Sequence, residues 1–347
     1  MIPRFDTRDF DKHYCALITP FKPSSLEVDY DAFRKLVRYL VTSDRFLKAN
    51  GALIANPEAA EIFYLTIKER ELLIKIVMEE RPRGMPVFGG CYGVSRDEII
   101  TSALHAKSLG VDGIFVMPPS GTMEVSQDID CSGNPEIWTD HTAAIAEATQ
   151  LPLIIHAANH WTFQWGFGVP IETAKMMLEQ VPSIVGWKMI YGNVAAHFRV
   201  AKYIRTLSRH VAILNAPYFA HHTALLCDLY DGGVQGTYNF LLESLMDHHL
   251  VWEAGDMDGV KRIWNGQVMP VLEFINADHS RLHIRYKLAT WIRGFIAHPF
   301  MRPPMPAPRW EEADRIHQII GKTGLSCIGR AELESAFVRK DAILGRK

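Results

Sequence analysis

One lysine, Lys188, closes the apolar run in "SIVGWKMIYGN" (residues 183–193) and is followed at once by a small polar turn. A primary amine attacks ketones and aldehydes once it is neutral, and partial desolvation supplies the neutral form near physiological pH. A lysine closing a strand also serves a plainer purpose, burying its stem in the apolar layer and holding its charge in water. The two readings part on whether the run is a barrel strand with Lys188 at its mouth. His221 and His222 raise metal chemistry, but adjacent helical residues diverge by about 100° and cannot easily serve one ion. No His-x-x-x-His or cysteine pair lies near them, so no metal site is expected. The five cysteines (Cys15, Cys91, Cys131, Cys227 and Cys327) are far apart, without CxxC spacing, and read as reduced, mostly buried thiols.

The elements around Lys188 decide its setting. Eight short aliphatic runs read as strands: "YCALITP" (14–20), "GALIAN" (51–56), "MPVFGG" (85–90), "DGIFVMPP" (112–119), "LPLIIHAA" (151–158), "SIVGWK" (183–188), "VAILNA" (211–216) and "GGVQGTYN" (232–239). Helical patterns alternate with them, three opening on the capping residues Asp29, Thr66 and Ser95, and the third stopping at Gly110. Strands apolar on both faces, each followed by a helix, predict a closed (β/α)8 TIM barrel rather than an open sheet, and place Lys188 on the sixth strand. After about residue 240 the chain reads as successive helices, then a proline-rich connector, "HPFMRPPMPAPRW", and a last helix from near Glu311. The expected division is a catalytic barrel over 1–240 and a C-terminal helical subdomain over 241–347. The polar stretch "SGTMEVSQDIDCSGNPEIW" after the fourth strand stands where barrels carry lids or specificity loops.

Composition removes other classes. With 37 basic and 39 acidic residues and no dense Lys/Arg run, nucleic acid is not an expected partner. The charged N-terminus lacks a signal-peptide core and no uninterrupted apolar stretch approaches 18 residues, so a cytoplasmic protein without membrane contact is expected.

Several of these stretches, in order from about residue 14 to 325, resemble one family: "ALITPF", "AAEIFYLTIKER", "MPVFGGCYGVSRDEII", "LGVDGIFVMPP", "IVGWK", "DGGVQGTYN" and "MRPPMPAP". The family is that of the Schiff-base lyases related to dihydrodipicolinate synthase and N-acetylneuraminate lyase. The resemblance implies a barrel with a C-terminal helical subdomain, usually a tetramer. It also implies a sixth-strand lysine condensing with a 2-oxo acid, and Lys188 matches that lysine. The protonated imine would draw electrons from the adjacent bond and permit aldol cleavage, condensation or dehydration.

The pocket departs from the family elsewhere. "NPEAAE" stands where a Gly-Thr-Thr-Gly-Glu type motif holds the substrate carboxylate, so Glu61 is kept while Pro57, Glu58, Ala59 and Ala60 replace glycines and hydroxyls. Two like charges about 4 Å apart cost roughly 4 kcal/mol at an effective dielectric of ~20, so Glu58 would disfavour a substrate carboxylate there. Glu58 is a candidate for substrate selection or acid/base work, with Ala59 beside it. His156 replaces the fifth-strand tyrosine that relays protons, and imidazole suits that role near neutral pH. Pro119 and Ser120 replace a tyrosine pair on the fourth strand. Asn159, with His160, Trp161 and Trp165 in the following loop, and Tyr238 and Asn239 on the eighth strand are further candidate lining residues.

The expectation is a Schiff-base-forming aldolase, dehydratase or hydratase-aldolase, catabolic rather than lysine-making. Lys188 would be its nucleophile and His156 its proton carrier, with Glu58, Ala59, Ser120, Asn159, Tyr238 and Asn239 binding substrate. It would need no cofactor and form a homo-oligomer, a tetramer or dimer. The alternatives are a non-catalytic barrel in which Lys188 binds an anion as a point charge, and an imine-free lyase using Glu58 and His156.

Overall fold

The computed structural model describes residues 7–119 and 133–338. All eight expected strands form: β1 (His13–Ala16), β2 (Gly51–Ala55), β3 (Val87–Gly90), β4 (Gly113–Val116), β5 (Leu153–Ile155), β8 (Ile184–Met189), β9 (Ala212–Asn215) and β10 (Gly232–Gln235). They close into a barrel in the order β1-β10-β9-β8-β5-β4-β3-β2. Between β5 and β8 the chain adds a two-stranded hairpin, β6 (Ala158–Thr162) and β7 (Gly166–Gly168), where the sequence pattern reads as loop.

The described chain falls into two compact units. The first holds residues 7–14, 52–58, 84–119 and 133–235, and with them every barrel-strand residue except Cys15, Ala16 and Gly51. Its strands are buried on both faces, as parallel strands covered by helices must be. Large and small residues alternate across neighbouring strands: Phe88 on β3 pairs with Gly113 on β4, and a Cβ on Gly113 would lie 2.2 Å from the Phe88 ring. The second unit holds residues 15–51, 59–83 and 236–338.

The predicted helix starts are found with their caps. α1 (Tyr30–Val41) is capped by Asp29, which accepts from the Ala32 N–H at 2.9 Å; a short α2 (Asp44–Lys48) follows. α3 (Ile67–Glu80) and α4 (Arg96–Ser108) open on reciprocal capping boxes, Thr66 with Glu69 and Ser95 with Glu98. Such caps contribute about 1 kcal/mol each. The first unit continues with α5 (Glu136–Thr149), α6 (Ile171–Gln180), α7 (Val194–Arg205) and α8 (His221–Leu226). The second carries α9 (Tyr238–Glu253), α10 (Met257–Ile263), α11 (Met269–Asn276), α12 (Leu282–Ile292) and α13 (Trp310–Lys322). The helix expected near Glu311 is α13, but it is not the last: α14 (Arg330–Val338) follows after the turn at Gly324. No helix among the described residues is long and apolar enough to cross a membrane.

Buried charge in the second unit is paired. Lys287 and Glu61 form a fully buried ion pair, the Arg302 N–H donates to the second Glu61 oxygen at 3.1 Å, and the Phe21 ring lies 4.1 Å from the ammonium. Glu312 accepts from both Arg281 and Arg285. Removing one member of a buried pair strands the other's charge, which typically costs 3–5 kcal/mol. Lys287→Met is therefore expected to lower stability by about 3–5 kcal/mol in urea unfolding, with Lys287→Met combined with Glu61→Leu less damaging than the single change.

Two histidines of the first unit are buried neutral. His197 on α7 is fully buried, with neither ring nitrogen hydrogen-bonded within the described residues, and His141, buried beside Trp138, has Nε2 3.2 Å from the Met117 carbonyl. Burial pushes both from the usual 6.5 down to about 4. The unfolded chain binds more protons between those values, so stability is fully present above about pH 6.5 and is lost as pH falls toward 4. The loss is of order 3 kcal/mol per histidine. His197→Leu should flatten the dependence of the urea midpoint on pH between 6.5 and 4.

Candidate active site

Lys188 lies on β8 among Ile184, Val185, Gly186 and Trp187, all buried. Side chains alternate along a strand, so Lys188 shares its face with Gly186. A Cβ on Gly186 would approach Leu214 to 2.9 Å and Ile154 to 3.0 Å, so the glycine leaves room for neighbouring aliphatics immediately beneath the lysine. The β5–β8 register pairs Ile154 with Gly186 and Ile155 with Trp187. Continued one residue, it sets His156 beside Lys188, and the Lys188 Nζ to His156 Nδ1 distance is 3.2 Å.

Three further contacts fix this pair. The His156 N–H donates to the Val116 carbonyl at 2.8 Å, holding the strand end. Phe115 on β4 lies edge-to-face with His156, centroids 5.6 Å apart, and its ring centroid is 5.9 Å from the Lys188 amine. On the far side of the imidazole, Glu58 Oε2 is 3.6 Å from His156 Nε2. That is too long for a direct hydrogen bond but close for a charge contact. The result is a line of amine, imidazole and carboxylate contributed by β8, β5 and the exit of β2. His156 is buried, Lys188 half-buried, and the Glu58 side chain 40% exposed, so the carboxylate end opens to water.

Burial lowers Lys188 from the usual 10.5 to about 8, with the Glu58 charge acting weakly in the opposite sense. At pH 7 roughly a tenth of such amines are neutral, against about one in 3,000 at the ordinary value. An ammonium at Lys188 donates to Nδ1, which leaves the imidazole proton on Nε2 facing Glu58. The arrangement can therefore pass a proton between the amine and the imidazole, with the carboxylate's charge acting from the far side of the ring.

The small polar turn after Lys188 has a structural purpose. The Gly192 N–H donates to the Trp165 carbonyl at 3.1 Å and Asn193 Nδ2 to the Gln164 carbonyl at 2.8 Å, tying the turn to the β6–β7 hairpin that follows His156. Gly166 bridges Tyr191 and has φ +63; a Cβ there would lie 2.3 Å from the Gly192 nitrogen, so only glycine fits. Asn193 Oδ1 also caps α7, accepting from the Ala196 N–H at 2.8 Å. Trp187 Nε1 donates to the Tyr191 hydroxyl at 3.3 Å, completing the clip from the inner side.

Of the sequence candidates, the structure brings Lys188, His156 and Glu58 together. Ala59 is buried in the 3₁₀ turn Glu58–Ala60 and offers a methyl group. Asn159 is half-buried on β6, three residues beyond His156. Tyr238 and Asn239 are not at a strand end but in the first turn of α9. Tyr238 packs with Phe46, and the Asn239 amide is engaged by backbone, donating to the Ala16 and Gly236 carbonyls and accepting from the Ile18 N–H. Both contribute to packing within the second unit. Ser120 lies outside the described residues. Trp165 is buried against Tyr191, whereas Trp161 is 55% exposed. Sequence reading missed Phe115, whose role depends on β4–β5 register, and the hairpin clip, for which Gly166 and Gly168 among aromatics were the available signal.

Asp11, His210 and Asp231 form a cluster with ligand atoms within 4.8 Å of one another. It lies at the strands' N-terminal ends, and Arg205 binds both Asp231 oxygens at 2.7 Å while His210 meets Asp11 at 2.7 Å. Asp231 also accepts from the Ile213 N–H. This is an ion-pair network whose acceptors are already engaged.

Comparison with known proteins agrees with the fold. Residues 9–323 match the model of the dihydrodipicolinate synthetase family. The chain is 24% identical over 314 residues to the 4-hydroxy-tetrahydrodipicolinate synthase of Sulfurihydrogenibium sp., covering 89% of this chain and 97% of that one. Among solved structures, a monomeric dihydrodipicolinate synthase variant aligns with a TM-score of 0.77 at 20% identity, over 93% of this chain and 100% of its own. The Aquifex aeolicus dihydrodipicolinate synthase aligns at 0.73 and 20% identity, over 92% and 99%.

The site makes a pH prediction. Reaction of Lys188 with an amine-directed reagent, followed by peptide mass spectrometry, should rise with pH to a plateau with a midpoint near 8. Glu58→Gln removes the charge that favours the ammonium, so its midpoint should move down.

Proposed function

We propose that this chain, which belongs to the dihydrodipicolinate synthetase family of lyases, forms a Schiff base at Lys188 with a 2-oxo acid or related carbonyl compound. The observation that carries the reading is the 3.2 Å contact between Lys188 Nζ and His156 Nδ1, made by an amine whose burial lowers it to about 8. Neutral Lys188 adds to the carbonyl carbon, and His156 gives a proton to the departing oxygen, which leaves as water. The protonated imine takes up the electron pair of an adjacent C–C bond, or stabilises the carbanion from which a C–O bond breaks. His156 collects the released proton and returns it to carbon, and water then hydrolyses the imine to free Lys188. General acid–base help of this kind contributes about 10²- to 10⁴-fold.

A catabolic role in sugar-acid or aromatic breakdown is part of the proposal, because the Glu58 and His156 positions depart from those expected of a lysine-making enzyme. Glu58, Ala59 and Asn159 are proposed to face the substrate. Assembly as a dimer or tetramer is proposed too, and light scattering on the purified protein decides it.

The test is intact-mass spectrometry after incubation with a panel of carbonyl compounds and sodium borohydride. A ligand-sized increase that Lys188→Ala abolishes supports the imine. His156→Ala should keep a slow adduct while losing about 10²-fold or more in turnover. Absence of any adduct from folded protein, with ligand binding retained in Lys188→Arg, would instead favour an anion-binding barrel, since guanidinium cannot form the imine. Turnover without an adduct, lost in His156→Ala, would favour the imine-free lyase.

A further inference from the structure

The charge at the barrel mouth restricts which carbonyl compounds the lysine can take. In the first unit, the described residues leaving the C-terminal strand ends are 56–58, 91–93, 117–119, 156–159, 188–190 and 216–218. They include one lysine, Lys188, no arginine, and one acid, Glu58. The hairpin and the turn clipped to it, residues 158–168 and 189–193, add neither lysine nor arginine. The Glu58 carboxylate reaches within 3.6 Å of the imidazole that itself touches the amine, and its charge is felt at Lys188.

Once Lys188 is an iminium, its single positive charge has the Glu58 carboxylate one imidazole away. A neutral substrate leaves the half-buried site near neutrality, whereas a carboxylate beside the imine carbon adds a second anion, and the described strand-end residues counted above hold no further lysine or arginine to meet it. Desolvated anions without partners are strongly disfavoured. A hydroxyl in the same place can instead donate to Glu58 or His156, and charge-assisted hydrogen bonds are among the stronger ones.

Resting on the Schiff-base reading above, we propose that Glu58 is a specificity-determining residue that selects uncharged hydroxy-ketones or hydroxy-aldehydes over 2-oxo acids. Glu58 acts here by rejecting the anion and by accepting a hydroxyl proton in a hydrogen bond; no bond to Glu58 forms or breaks.

Hydroxyacetone and pyruvate are matched probes: both are methyl ketones of three carbons, one bearing CH₂OH and the other a carboxylate. Borohydride trapping rates of both are measured on the wild type and on Glu58→Gln, at pH 9 so that lysine ionisation weighs little, and each is divided by its rate with a simple alkyl amine. The wild type should favour hydroxyacetone by at least tenfold on that scale, and Glu58→Gln should lower the preference at least tenfold, mainly through faster trapping of pyruvate. A purely structural role for Glu58 would change both rates alike and leave the ratio fixed. An unchanged ratio, or a wild type that prefers pyruvate, overturns this inference while leaving the Schiff base in place. No adduct with any carbonyl compound overturns the Schiff-base reading and this inference with it.

Discussion

The site depends on the cost of keeping one ammonium out of water. Lys188 lies near the end of a strand whose other residues are buried, and the chain gives it an imidazole and an aromatic ring for company rather than a carboxylate in direct contact. Desolvation then disfavours the charged form, and the neutral amine becomes accessible near physiological pH. The glycine beneath it, the β5–β8 register and the His156 backbone hydrogen bond all serve to hold that environment in place.

Lys287 shows what the same side chain becomes under the opposite arrangement. It is buried more completely than Lys188, and burial lowers it from its ordinary value as well, but Glu61 in direct contact works against that fall and the Phe21 ring lies over its ammonium. One lysine thus stabilises a helical unit while the other is left under-compensated. Burial alone does not set a lysine's charge; the identity of the nearest partner weighs in as well. Glu58 stands one imidazole away from Lys188, close enough to influence its charge and too far to neutralise it.

Much of this was legible in the sequence because it rests on local rules. The eight strands are short aliphatic runs, and the starts of α1, α3 and α4 are marked by Asp29, Thr66 and Ser95 at positions where their oxygens reach the first-turn N–H groups. Lys188 and His156 were readable as strand-end residues on neighbouring strands. What differed needed distance information. Tyr238 and Asn239 follow the strand "GGVQ" by so few residues that they read as its end, yet the chain turns into α9 there and Asn239 spends its amide on backbone. The β6 and β7 strands are short and mix small, polar and aromatic residues ("ANHWT", "GFG"), so the segment reads as loop. α14 was lost because a short stretch after Gly324, burying only Leu333 and Ala336, carries little periodic signal of its own.

The clip between the hairpin and the "YGN" turn ties together the segments that leave the two strands bearing His156 and Lys188. Gly166 and Gly192 meet backbone to backbone, so neither segment can be lengthened, shortened or given a side chain at that crossing without displacing the other. For anyone wishing to graft a new specificity onto this scaffold, residues 157–169 and 189–193 form a single exchangeable cassette. A transplant of one half alone would carry a seam into the ends of the strands bearing His156 and Lys188.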